Sequence, residues 1–384
     1  MKQLLATALS VAALGWGQAF LNPTNGANGA LNLPAGGTPA QVRFRPADFP
    51  NGVDSDNVYH FTSINIASGR QLYIPATEMN TSGPIIFLVQ GNVTIDGTVY
   101  LGGENGLGIN GGQPTPGPGG FTAGHGPGAP GVTSTPGFAS TFPPISPCGA
   151  VHAVAAPAPC NTSSLPYGSS TLLPLIGGSG GGNTATYWGG SGGGAIRIVA
   201  GGTITIGSTG EINANGGATV AGFGSGGGSS GAIHLVAPTV TLAPGVRLNA
   251  PGGRARIDST NSPTATSIAA GTYEKFGLPD APIPLPLPGS IQVRVGGVTI
   301  PANADAALAV PDAQFTATGT PLLEVTAKNI PPGTAVHAVC KPTGGGPNVT
   351  VALPLLSGTF DLSTTSASLP LTTATARCAV QAHW

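Results

Sequence analysis

The chain has 384 residues, among them 63 glycines and 38 prolines, with 7% charged and 5% aromatic side chains and a net charge of -1. So much Gly and Pro excludes long helices, and the low charge beside frequent Leu, Ile, Val and Ala is not the composition of a disordered chain. The 13 basic residues are scattered from Lys2 to Arg377, which excludes nucleic acid as a partner.

The N-terminus reads Met1-Lys2-Gln3, stays uncharged over residues 4–16, and reaches Gly17-Gln18-Ala19 before Phe20. A basic start, an apolar middle and a small-residue cleavage site are the three parts of a secretory signal, with cleavage expected after Ala19. The apolar run falls short of the roughly 20 residues that cross a bilayer. The expected location is therefore extracellular or at the cell surface, or else the periplasm, with no transmembrane segment in the mature chain. Residues 20–57 read as an N-terminal segment or cap. In it, Asp54-Ser55-Asp56-Asn57 clusters oxygens, so Asp54 and Asp56 are candidate Ca²⁺ ligands. The rest of a calcium-loop pattern is missing, an ordinary polar turn is the better fit, and no cofactor is expected.

Residues 58–275 carry internal repeats, found by laying residues 83–103, 194–217 and 231–253 over one another. Their first strands read Ile86-Phe87-Leu88-Val89, Ile196-Arg197-Ile198-Val199 and Ile233-His234-Leu235-Val236. Alternation puts Ile86, Ile196 and Ile233 with Leu88, Ile198 and Leu235 on the core face, and leaves Phe87, Arg197 and His234 to solvent. Second strands follow at Val93-Thr94-Ile95, Ile204-Thr205-Ile206 and Val240-Thr241-Leu242, then a Gly corner leading to Leu101, Ile212 or Leu248. A fainter copy precedes them in Ile64-Asn65-Ile66, Gly69 and Leu72. Short strands and Gly corners at about 21 to 24 residues per copy predict a short right-handed parallel β-helix, in which each coil buries its apolar face by stacking on its neighbours. An antiparallel sandwich or barrel is the alternative all-β arrangement.

Stacking also predicts ladders of like positions. One joins Gln71, Tyr100, Glu211 and Arg247, making Glu211 and Arg247 neighbours; another joins Asn213 and Asn249. The aligned Thr94, Thr205 and Thr241 raise ice or crystal binding, although Asn65 interrupts the row.

An insertion at about 104–193 contains no Asp, Glu, Lys or Arg after Glu104. It reads as a surface loop, or as a binding loop, since long structureless loops in compact domains are flexible or functional. The glycine runs near 177–182, 189–194 and 224–231 lack the GK[ST] of a phosphate loop, and are explained by tight corners or close backbone approach. Residues 276–289 form a Pro-rich spacer. Residues 290–384 show short alternating strands and two cysteines, which predicts an immunoglobulin-like sandwich without the usual core Trp. Four cysteines in an exported chain suggest two disulfides; sequence proximity favours Cys148 with Cys160 and Cys340 with Cys378, among three connectivities.

The chemistry-bearing residues are few. Most glycoside hydrolysis needs two convergent carboxylates, and the clear copies offer Asp96, Glu104 and Glu211, with Asp258 just beyond; Asp96 aligns with Ala67, Gly207 and Ala243 and reads as a corner residue. The six histidines share no motif, and no G-x-S-x-G sits on a strand-turn-helix.

Gly-Gly-Ser-Gly-Gly-Gly-Ala-Ile-Arg-Ile-Val at 189–199, followed by Gly202-Thr203-Ile204-Thr205-Ile206, resembles the repeats of glycine-rich, adhesin-like secreted bacterial β-helix proteins. The resemblance spans residues 58–256. It implies a structural or binding role at the cell surface, with an extracellular glycan or another surface protein as partner and no catalytic residues to carry over. A carbohydrate-active β-helix, lyase-like, hydrolase-like or glycan-binding, is the alternative.

Overall fold

The computed structural model describes residues 22, 24–49, 57–124, 152, 168–184, 186–221, 225–260, 268–277, 290–300, 320–328, 330, 332–342, 349–359, 362–370 and 376–383. Within them the protein is all-β, with three short 3₁₀ turns and no α-helix. The expected signal peptide, Asp54, Asp56, Cys148 and Cys160 lie outside the described residues.

Two strands, β1 (Ala30–Leu33) and β2 (Gln41–Arg43), precede the repeats. The first full copy is β3 (Val58–Phe61), β4 (Ser63–Ile66) and β5 (Gln71–Tyr73), and the second is β6 (Ile85–Val89), β7 (Val93–Ile95) and β8 (Thr98–Tyr100). The third is β9 (Ala195–Ala200), β10 (Thr203–Ile206) and β11 (Glu211–Asn213). The fourth is β12 (Ala232–Val236), β13 (Thr239–Leu242) and the long β14 (Arg247–Asp258), followed by β15 (Ile268–Phe276).

Like strands of successive copies pair in parallel. The second strands make a five-stranded sheet in the order β1-β4-β7-β10-β13. The first and third strands make a ten-stranded sheet, β2-β5-β8-β11-β14-β12-β9-β6-β3, with β15 on β14. Long β14 joins its two halves, pairing with β11 through residues 247–249 and with β12 through residues 254–258. Each second strand has two apolar residues two positions apart, so one face is buried in every copy: Ile64, Val93, Ile204 and Val240 stand in register and all face the core. The core begins at an aromatic cluster in which Phe44 and Tyr59 meet at 4.8 Å and Phe61 and Phe87 at 5.3 Å.

Two alignments change. In the first-strand ladder Ile85, not Ile86, pairs with Ile196, and Phe87 pairs with Ile198. Phe87 is therefore in the core, while Ile86 and Leu88 share the opposite face with Arg197 and His234. A one-residue slip inverts a strand, and Ile85-Ile86-Phe87-Leu88-Val89, apolar throughout, gives alternation no phase. In the third-strand ladder Thr98, not Tyr100, lies between Gln71 and Glu211. Tyr100 belongs to the next row, with Tyr73 and Asn213. The predicted neighbours Glu211 and Arg247, and Asn213 and Asn249, are paired.

The outer face of the first-strand ladder does not meet solvent. Val58, Ile86, Leu88, Val199 and Val236 are buried there, and the insertion covers it, packing Leu172 and Leu175 on Ala195 and Ala232. The described glycine runs form a second kind of core, made of backbone. Around residues 190–195 the N–H groups address several neighbours in turn, repeating every three residues. Gly190 and Gly193 donate to Gly226 and Ser229, Ser191 and Gly194 to Glu104 and Leu101, and Gly192 and Ala195 to Phe121 and Pro118. A β-strand has two hydrogen-bonded neighbours; a three-residue period with bonds only to other segments is the period of a polyproline II helix. At the glycine positions a side chain has no room. A Cβ on Gly192 would stand 1.7 Å from the Gly178 carbonyl oxygen, and one on Gly193 would stand 1.9 Å from that of Ala214. Close backbone approach therefore explains these glycines, and the described part of the insertion is packed rather than a loose surface loop.

The C-terminal strands are β16 (Ser290–Val295), β17 (Val298–Thr299), β18 (Leu322–Lys328), β19 (Ala335–Pro342), β20 (Val349–Ala352), β21 (Ser357–Gly358), β22 (Ser363–Ser368) and β23 (Ala376–His383). They pair antiparallel in two sheets, β17-β16-β18-β22-β21 and β20-β19-β23. Val293, Leu323 and Val325 from one sheet share a core with Val336, Ala338, Cys340 and Val380 from the other. The register sets Cys340 directly opposite Cys378.

Candidate functional site

The third-strand ladder keeps an open outer face. Arg43, Tyr73, Tyr100, Asn213 and Asn249 form one outward row in register, and Gln41, Gln71, Thr98, Glu211 and Arg247 form the next. The Tyr73 and Tyr100 rings lie 5.7 Å apart at 54°. Arg43 stands 5.5 Å from the Tyr73 ring centre and 3.5 Å from the Glu78 carboxylate.

Two of the three carboxylates singled out from the sequence belong to this face. Glu104 lies just beyond β8, where its Oε2 accepts the Thr115 N–H at 2.8 Å. Glu211 Oε1 accepts the side-chain amides of Asn213 at 2.9 Å and Asn249 at 2.6 Å. The Asn213–Asn249 pair is thus an amide ladder tied by Glu211, and that carboxylate makes no ion pair with Arg247 among the described residues. Burial, and after it the charge of Glu104, push the phenols of Tyr73 and Tyr100 above the ordinary tyrosine range; Glu211 adds to the shift of Tyr100. Asp96 is elsewhere, at the corner between β7 and β8, where its carbonyl accepts the Thr209 hydroxyl at 2.6 Å. Among the described residues no group of three or more His, Cys, Asp and Glu side chains could hold a metal ion.

Sequence reasoning missed the densest polar cluster. Arg197 Nε–H donates to His234 Nδ1 at 3.0 Å, His234 Nε2 lies 2.9 Å from Asp258 Oδ2, and Arg256 Nε–H donates to Asp258 Oδ1 at 2.7 Å. Because Nδ1 accepts, the proton sits on Nε2 and points at Asp258. Arg197 and Arg256 also donate to the Leu172 and Ser170 carbonyls of the insertion at 3.1 and 3.3 Å, and Arg256 lies 4.0 Å from the Phe276 ring centre. Burial, foremost, drives His234 down to about 4 and Arg197 down to about 9. For Asp258 burial pulls upward, but the hydrogen bonds and charges of His234 and Arg256 outweigh it and hold the carboxyl below its ordinary range.

The heart of this cluster is sealed: Arg197 and His234 are 1% exposed and Asp258 is 0%, while Arg256 at its edge keeps 14% of its side chain exposed. Both imidazole nitrogens are engaged, so His234 has none left to activate a serine hydroxyl. Its chemistry is to clamp the insertion onto the ladder. The available signal was Arg197 and His234 at equivalent positions, followed by Arg254-Ala255-Arg256-Ile257-Asp258.

No protein-family model, no curated protein and no solved structure matches the chain. No helix among the described residues is long and apolar enough to cross a membrane.

Proposed function

We propose that the chain is a secreted or cell-surface, adhesin-like binding protein without catalytic activity. Its scaffold is a short right-handed parallel β-helix, followed by an immunoglobulin-like sandwich closed by a Cys340–Cys378 disulfide. Support for the β-helix comes from parallel ladders in which each strand pairs with its counterpart one copy on; right-handed crossovers between parallel strands are the general rule. Two antiparallel sheets around one core, with the two cysteines opposed, support the sandwich. The N-terminal sequence pattern supports export.

One observation carries the binding reading. The polar cluster of the first-strand ladder is sealed under the insertion, while the face bearing Tyr73, Tyr100, Glu104 and Glu211 stays open on rigid strands. A glycan array and a polysaccharide-depolymerisation screen on the mature protein test it. Binding without product release is the expected outcome. A carbohydrate-active enzyme is the second reading, favoured by Glu104 and Glu211 both acting on Tyr100; product release abolished by Glu104→Gln or Glu211→Gln would establish it and displace the first.

A further inference from the structure

We propose that the outer face of β5, β8, β11 and β14 is a subsite for a neutral glycan chain, with Tyr73 and Tyr100 as its stacking platform and Glu104, Glu211, Asn213 and Asn249 addressing the sugar hydroxyls. The inference rests on the binding reading above and names its ligand class.

Tyr73 and Tyr100 are half-buried on adjacent strands, and neither phenol has a hydrogen-bond partner among the described residues. Each therefore carries a free hydroxyl on an apolar ring, the combination that suits a pyranose, which has a CH-rich face and a rim of hydroxyls, with Arg43 over the Tyr73 ring as a cationic flank. The Tyr100 ring is fixed by packing. A Cβ on Gly102 would stand 2.8 Å from Tyr100 Oη, so the ring lies directly on that backbone. Burial and the nearby carboxylates keep both phenols protonated, and hence donors, at every physiological pH.

Both carboxylates are half engaged. Glu104 spends Oε2 on the Thr115 N–H, and Glu211 spends Oε1 on the two asparagine amides. Oε1 of Glu104 and Oε2 of Glu211 make no hydrogen bond among the described residues, so each carboxylate has one oxygen that orients it and one left to accept a hydroxyl. Paired hydroxyl acceptors beside an aromatic platform suit a sugar. The same charges repel uronic acids and sulfated sugars; of the two cations on this face, Arg43 is paired with Glu78, and Arg247 stands beside Glu211 in the neighbouring row.

Direction follows from the register. Tyr73, Tyr100, Asn213 and Asn249 form one row across the strands, stepping about 4.8 Å per strand, close to the length of one pyranose unit. An extended chain laid across the strands sets successive sugars over successive members of the row.

The test is isothermal titration of the full-length mature protein with neutral hexasaccharides of glucan, mannan, xylan and chitin type, with hexagalacturonate as the anionic arm. At least one neutral hexasaccharide should bind, and Tyr73→Ala and Tyr100→Ala should each weaken it about tenfold or more. Tyr100→Phe, which keeps the ring, should retain most of the affinity and guards against misfolding as the cause. Hexagalacturonate binding tighter than every neutral chain would overturn the proposal, as would neutral binding unmoved by both alanine variants. The latter result would leave the binding reading standing at another face. No binding to any of these probes overturns the subsite, and the binding reading falls with it only if the broad glycan array is also blank.

Discussion

Asp258 receives hydrogen bonds from His234 and Arg256 on a face closed to water. Taking away one partner of a buried ionic group leaves the others uncompensated, a loss of about 3–5 kcal/mol. Asp258→Ala should lower stability by that amount in denaturant titration, and a change under 1 kcal/mol would show the cluster to be unimportant. The two buried histidines set a pH dependence. Burial drives His234 from 6.5 to about 4 and His152, whose Nδ1 lies 2.9 Å from the Ser230 carbonyl, from 6.5 to about 3. A folded-state pKa below the unfolded one means that the unfolded chain binds more protons in between, so stability is full above pH 6.5 and is lost as pH falls toward 4 for His234 and toward 3 for His152. His234 contributes on the order of 3 kcal/mol to that loss. The Tm should drop over this window and drop less in His234→Gln, with His152 supplying the remainder; a flat profile would contradict neutral buried imidazoles.

Among the elements, the second strands were legible from sequence because each alternates cleanly, polar residue out and apolar residues in. The first strands were not. A strand buried on both faces carries no alternation, so the phase of Ile85-Ile86-Phe87-Leu88-Val89 depends on what covers its outer side, which is the insertion. Phe87→Ala should therefore cost about 3–5 kcal/mol, as for a core aromatic, although the aligned sequence assigned it to solvent. The insertion was opaque for a related reason: its packing is backbone against backbone, and glycine repetition alone does not distinguish that from a flexible tract. Gly192→Ala should lower the Tm markedly, because the added methyl meets the Gly178 carbonyl. Gly277→Ala, with nothing within 4 Å, should leave it unchanged. Equal effects would mean that the glycine segments are not packed. Of the candidate site, Glu104 and Glu211 were visible as scarce acids, whereas the Tyr73–Tyr100 pair became visible only when the register moved Tyr100 into the row of Tyr73 and Asn213.

On the scale of the whole molecule, the apolar cores of the parallel ladders and of the antiparallel sheets are separate, and among the described residues none belongs to both. Two cores predict two calorimetric transitions, and Cys340→Ala should lower only the one that belongs to residues 290–384. One merged transition shifted as a unit would contradict that division. The functional account places a sealed ionic clamp on one side of the parallel stack and an open aromatic and carboxylate face on another, a scaffold that holds a ligand without cleaving it. The most direct test is a crystal structure of the mature protein soaked with the neutral hexasaccharide that binds best. The account predicts an intact sugar chain lying across the strands over Tyr73 and Tyr100, within hydrogen-bond reach of Glu104 and Glu211. A cleaved sugar between those carboxylates, or a chain bound at another face, would contradict it.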